Sequence, residues 1–189
     1  LWHTTAESKY GGKAIELARV VVGAQQVARV GSVFPLSGFF YTGPDRKDIF
    51  HQFHRGNDQA PVVAMTMLCD SFPAHGDWMK WYSAAVLYAE YQKRAAGTTA
   101  PYGVLPAYVY RDDEWQRIAE ADRYGSSRAA YREQVLGGMA MGDGYYLKAF
   151  PVWFTRRGNY GLLLSQAKGL SAAARLRGDK DAAGLVQAQ

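Results

Sequence analysis

The sequence predicts an all-α fold of repeated αα-hairpins, on three observations. Helix-spaced apolar runs come in pairs joined by turns of about five residues, and segments of about twenty residues separate the pairs. The pairs also resemble one another. LCDSFPAHGDWMKWYSAA (68–85) and LSAAARLRGDKDAAGLVQ (170–187) each run from a leucine through a polar turn to an aspartate nine positions on, then resume helix. LWHTTAESKYGGKAIELA (1–18) has the same rhythm, with Ser8 and Lys9 expected in its turn. A lone hairpin leaves an apolar face open, so the hairpins must stack, as an open solenoid or a closed toroid. Long loops rich in Tyr, Phe and Trp favour the toroid, where they would build a groove on one face, opposite the short turns.

The elements follow in order. Ala14, Leu17, Ala18, Val21 and Val22 have helical spacing, and they predict a helix over 13–29, with Gly11 and Gly12 weakening its start. Residues 30–58 carry Gly, Pro and aromatics without a sustained period and are expected as a long loop. Asn57 or Asp58 can cap the next helix (59–72), and Pro61 sits in its permitted first turn. That helix is nearly all apolar, which predicts an inner, buried position. After PAHGD, Asp77 caps a helix over 78–95, with Trp78, Tyr82, Ala85 and Ala89 on one face. Trp78, Trp81 and Tyr82 are assigned to helix packing. A second long segment (96–115), a moderately helical piece (122–136) and a third long segment (137–158) lead into a helix over 159–178. RGDKD then starts the last helix.

The totals bound the function. The length of 189 residues suits one domain with a real core. A net charge of +5 is spread without a basic stripe, which argues against nucleic acid as partner. The one cysteine, Cys69, lies in an apolar stretch and reads as a buried core thiol. No run approaches the ~20 apolar residues of a membrane span. The chain opens on Leu1-Trp2 without an initiator Met and stops at Gln189 inside a helical pattern, so a piece of a longer protein is expected, 1–189 being a partial domain.

Three stretches carry a family resemblance: LWHTTAESKYGGKAIELA, HRGNDQAPVVAMTMLCDSFPAHGDWMKWYSAA and RRGNYGLLLSQAKGLSAAARLRGDKDAA. They resemble the six-hairpin, (α/α)6-toroid glycosidases, in the neighbourhood of glycoside hydrolase family 9. The resemblance implies an exported enzyme, extracellular or periplasmic, that acts on a carbohydrate and needs no cofactor. It also implies about twelve helices for a full toroid, where this chain reads as about six. The family's Asp-Ala-Gly-Asp motif and late catalytic glutamate are absent here, so no catalytic role is carried over from it.

The candidate site residues come from the loops. Glycoside hydrolysis uses two carboxyl groups across the scissile bond. Asp58, which opens the inner helix, and Asp143, flanked by glycines in MGDGYY, are the catalytic candidates. A helix cap and an ordinary Gly-Asp-Gly turn are their structural alternatives. The adjacent Asp112, Asp113 and Glu114 read as a solvated turn or helix start. His51, His54, Arg55 and Asn57 crowd beside Asp58 and suit hydrogen bonding to sugar hydroxyls or a carboxylate. His51 and His54 have helical i,i+3 spacing, but no third ligand falls at metal spacing, so no metal site is expected. Tyr102, Tyr110 and Trp153 offer flat faces for sugar rings, with core packing as their alternative, and of Arg156 and Arg157 one offers a fork for an anionic group and the other a surface charge.

A glycoside hydrolase is therefore the leading expectation. The arginine, histidine and asparagine cluster also fits a polysaccharide lyase acting on uronates, and the missing family motifs fit a non-catalytic carbohydrate-binding or scaffold protein. Oligomeric state and substrate linkage have no signal in the sequence.

Overall fold

The computed structural model describes residues 5, 7–49, 60–97, 108–111, 139–148 and 159–187. These form five helices and a small sheet: α1 (Ser8–Gly23), α2 (Ala60–Ser71), α3 (Trp78–Gly97), β1 (Tyr108–Arg111), β2 (Met139–Gly142), β3 (Tyr145–Lys148), α4 (Asn159–Arg177) and α5 (Lys180–Gln187). The described chain is mostly helical, as expected. None of the described helices is long and apolar enough to cross a membrane.

Two αα-hairpins, α2–α3 and α4–α5, meet at the centre. Helices α2, α3 and α4 pack mutually, and α1 lies against α2 and α3. Their corners share an aspartate's position but not its bonding: Asp179 caps its helix, whereas Asp77, expected as a cap, gives both carboxylate oxygens to side-chain cations. Asp77 and Asp179 each stand immediately before the second helix of a hairpin, at the repeat positions read from the sequence. Asp77 accepts from Arg19 Nε and Lys80 Nζ, both at 2.7 Å. Asp179 accepts from the Ala182 backbone N–H (3.0 Å) and from Lys93 Nζ (3.0 Å). Gly178, at φ 69°, closes α4 in the left-handed conformation that glycine adopts freely, and the Asp179 N–H reaches back to the Ala174 carbonyl.

The core fills the space between these helices. Trp81, Tyr88, Met65 and Leu170 are fully buried. Cys69 is buried as expected, and burial first, then the neighbouring Asp70 charge, push its thiol up to about 11. The buried stripe of α3 runs through Trp81, Ala84, Ala85, Tyr88, Ala89, Gln92 and Ala96. Trp78 and Tyr82 stack on each other at its border (5.1 Å between ring centroids), so their assignment to packing holds. Helix α2 is inner on most sides, but Met67 is 52% exposed.

Three further expectations need correction. The first helix ends at Gly23, not near 29, and Ser8 and Lys9 belong to its first turn rather than to a connection. The apolar spacing continues into Val27, but Gln25 and Gln26 leave the helix because tertiary bonds claim them. Gln25 Nε2 donates to the Gly38 and Ala84 carbonyls (2.9 Å each), and the Gln26 N–H donates to Phe39 O. Within the long segments, the structure has a sheet where the sequence reading had loops. Its order is β1-β3-β2, antiparallel throughout, with an irregularity between Ala140 and Gly142.

Candidate functional site

The first long segment folds back on the helices as a polar and aromatic layer. Bridges join Gln25 to Phe40, Val30 to Leu36, and Tyr41 to Ile49. Gly38 makes the docking possible. At φ 108° it lies so close to α3 that a Cβ would strike the Leu87 carbonyl oxygen and Tyr91 Cβ. The sheet attaches to the same segment, because the Val33 and Phe34 N–H groups both donate to Met141 O (2.8 and 3.0 Å). Phe39 then packs edge-on against Tyr41 and Tyr91.

Four side chains gather where this layer meets the sheet: Tyr41, Tyr145, Arg46 and Arg111. The Tyr41 hydroxyl donates to Gln26 Oε1 at 3.0 Å. Burial, then its hydrogen bond with the Tyr145 phenol, raises its pKa well above the ordinary phenol value. Tyr41 thus stays protonated, a fixed hydrogen-bonding group rather than a base. The Arg46 guanidinium lies over the Tyr41 ring, 5.8 Å from its centroid. It also donates to the Gly23 carbonyl at the end of α1, where helix carbonyls lack intrahelical partners, and to the Gln25 carbonyl just beyond it (3.3 Å each). Arg111 Nη1 of β1 donates to the Arg46 and Lys47 carbonyls (3.2 Å each), tying sheet to loop. Arg46 itself holds a left-handed φ of 53°, uncommon outside glycine.

Two of the expected site residues lie among the described ones. Asp143 is exposed at the tip of the β2–β3 hairpin, with φ 55°, followed by Gly144 at φ 73°. Both positions are left-handed, as in a two-residue primed hairpin turn, and Asp-Gly is a favoured pair for it. Tyr110 lies in β1, opposite Tyr146 of β3. His51, His54, Arg55, Asn57, Asp58, Tyr102, Trp153, Arg156 and Arg157 lie outside the described residues.

The described residues that flank the His51 to Asp58 stretch in the chain are Ile49 and Ala60. Ile49 is buried and bridged to Tyr41, and Ala60 begins α2. In the sequence the crowded polar stretch thus lies between the Tyr41 layer and α2. Among the described residues no group of three or more His, Cys, Asp or Glu is placed to hold a metal. Sequence reasoning did not single out Tyr41, Tyr145, Arg46 or Arg111. The one local signal was the Gly43-Pro44-Asp45 turn beside Tyr41 and Arg46.

Compared with protein families, curated proteins and solved structures, the chain matches none.

Proposed function

We propose that this chain is part of a carbohydrate-active (α/α)-toroid domain, a glycoside hydrolase whose substrate lies over the loop layer. The observation that carries the reading is that the chain on either side of residues 50–59 is fixed, Ile49 being buried and bridged to Tyr41 and Ala60 starting α2. In the sequence Asp58 stands two residues before Ala60, the first residue of α2, and a carboxylate beside a helix start suits a fixed acid or base. In this reading Asp58 is one member of the acid and base pair, and Asp143 is the second candidate. His51, His54, Arg55, Asn57, Tyr102, Tyr110, Trp153, Arg156 and Arg157 bind the glycan.

The test is release of reducing ends from a panel of neutral and uronate-containing polysaccharides, with Asp58→Asn and Asp143→Asn in parallel. Hydrolysis that falls by about a hundredfold or more in at least one variant is expected. The hydrolase reading fails if no substrate is cut, or if both variants keep full activity. A second reading, a lyase, draws on the cluster of His51, His54, Arg55 and Asn57 in the sequence, which suits a uronate. It predicts an unsaturated product with new ultraviolet absorbance and no hydrolysis.

A further inference from the structure

The corner between α2 and α3 holds a histidine in a bond that only its uncharged ring makes. His75 Nδ1 accepts from the Asp77 backbone N–H at 3.0 Å, two positions along the chain. Aspartate and asparagine oxygens make this bond in an ordinary Asx turn. Here a ring nitrogen makes it, and a ring nitrogen accepts only while it carries no proton, so the neutral ring holds its proton on Nε2. Packing fixes the same ring. It is half-buried and stacks on the fully buried Trp81 indole, 5.0 Å between centroids and 16° from parallel, while Phe72 meets that indole edge-on. The backbone beneath it is tied at both ends, the His75 N–H donating to Phe72 O and the Trp78 N–H to His75 O.

The bond matters because of what Asp77 carries. Its carboxylate takes Arg19 of α1 and Lys80 of α3, so this one residue joins α1 to the hairpin. One carboxylate between two cations leaves a net charge of +1, and a further positive charge on His75 meets like charge. On the α2 side, Asp70 is paired with Arg175 of α4 at 2.6 Å. The Cys69 thiol of α2, pushed up to about 11 by burial, stays uncharged. Among these described groups no carboxylate is left over to hold an imidazolium. The Trp81 face attracts a cation, which opposes the loss of the bond without replacing it.

We propose that His75 is a pH-sensitive latch: a proton taken up at Nδ1 breaks its bond to the Asp77 N–H and loosens the α2–α3 corner together with the Arg19 contact of α1. The latch is independent of the carbohydrate reading. The folded corner takes only the neutral ring, whereas the unfolded chain takes either form. The unfolded state therefore binds more protons, and stability falls as pH drops through the histidine range of about 8 to 5.

The test compares the native 189-residue chain with His75→Asn, whose Oδ1 takes the place of Nδ1 as acceptor and does not titrate. Urea unfolding of both is followed from about pH 8 to about pH 5. His3, His51, His54 and Asp77 are common to the two proteins, so only the change in their ratio with pH is read. The unfolding constant of the native chain relative to the variant is expected to rise about fivefold on acidification, the factor that one lost hydrogen bond carries. Parallel profiles overturn the proposal. So does a native chain that gains on the variant as pH falls, which would show an imidazolium held by Trp81. Nitrogen-15 NMR of the native chain decides the matter if the variant does not fold. The Asp77 amide resonance is expected to move as the His75 ring takes up its proton, or the ring to stay neutral until the chain unfolds. An Asp77 amide that keeps its position while the folded chain carries a protonated ring overturns the latch.

Discussion

Lys93 Nζ lies 3.0 Å from Asp179 Oδ2, although 86 positions separate the two residues in the chain. The contact ties the second helix of one hairpin to the corner of the next. The other Asp179 oxygen caps α5 through the Ala182 N–H, so one carboxylate fixes both the start of a helix and its neighbour. The capping bond first, then Lys93, hold its pKa below the ordinary carboxylate value. Glu90 joins the same network: burial pushes it up, but Arg177 and Lys93 together hold it below its ordinary value.

Removal of that carboxylate should therefore cost more than a surface pair would. Asp179→Ala is expected to lower stability by about 1–2 kcal/mol from the lost cap alone. Lys93→Ala should cost less in the Asp179→Ala background than in the native chain, because the two changes remove one shared contact. Urea denaturation midpoints of the single and double variants measure this. Strict additivity would show that the two residues do not act together.

Asp77 makes acid stability a second test. Its hydrogen bonds from Lys80, then from Arg19, lower its pKa from the ordinary 3.8 to about 2. A depressed folded-state value means that its contribution is complete above 3.8 and is lost as pH falls through about 2. Asp77→Asn should be less stable than the native protein at neutral pH, and the gap should close between those two values. Denaturation midpoints taken across the acid range check the sign. A gap that widens on acidification would contradict the pairing.

The corners were the most legible part of the sequence, and the reason is physical. A polar turn between packed helices sets an aspartate at a fixed distance from the preceding apolar face, so Leu68 and Asp77 recur as Leu170 and Asp179, although only Asp179 caps through its side chain. The end of α1 was not legible, because Val27 keeps the helical spacing while Gln25 answers to the Gly38 and Ala84 carbonyls, which only the folded chain brings near. The Asp143-Gly144 pair of the β2–β3 hairpin was visible, but its four-residue strands are too short for alternation to stand out. Of the loop layer, little could be read. Tyr41 and Tyr145 meet through a hydrogen bond across about a hundred positions, and no local pattern encodes that.

Gly38 tests how firmly the loop layer is held. Gly38→Ala places a methyl group against the Leu87 carbonyl oxygen in a backbone conformation that alanine resists. The expected loss is about 1–3 kcal/mol, with faster amide exchange at Gln26 and Tyr41, whose N–H groups bond to Phe39 and Ala24. Unchanged stability and exchange would mean that the layer is not anchored at this point.

Asp143 separates turn chemistry from catalysis. Its φ of 55° is accessible to Asp and Asn but strains a β-branched residue. Asp143→Asn should leave stability within about 0.5 kcal/mol, while Asp143→Val should lose about 1–2 kcal/mol. Activity adds an independent axis. On the glycosidase reading with Asp143 in the acid pair, Asp143→Asn loses hydrolysis at unchanged melting temperature, because it keeps the turn and removes the ionisable group. A turn-only role predicts the opposite order, with the asparagine variant fully active and the valine variant impaired in proportion to its lost stability. Melting temperature and initial rate on the same three proteins, native, Asn and Val, distinguish the two.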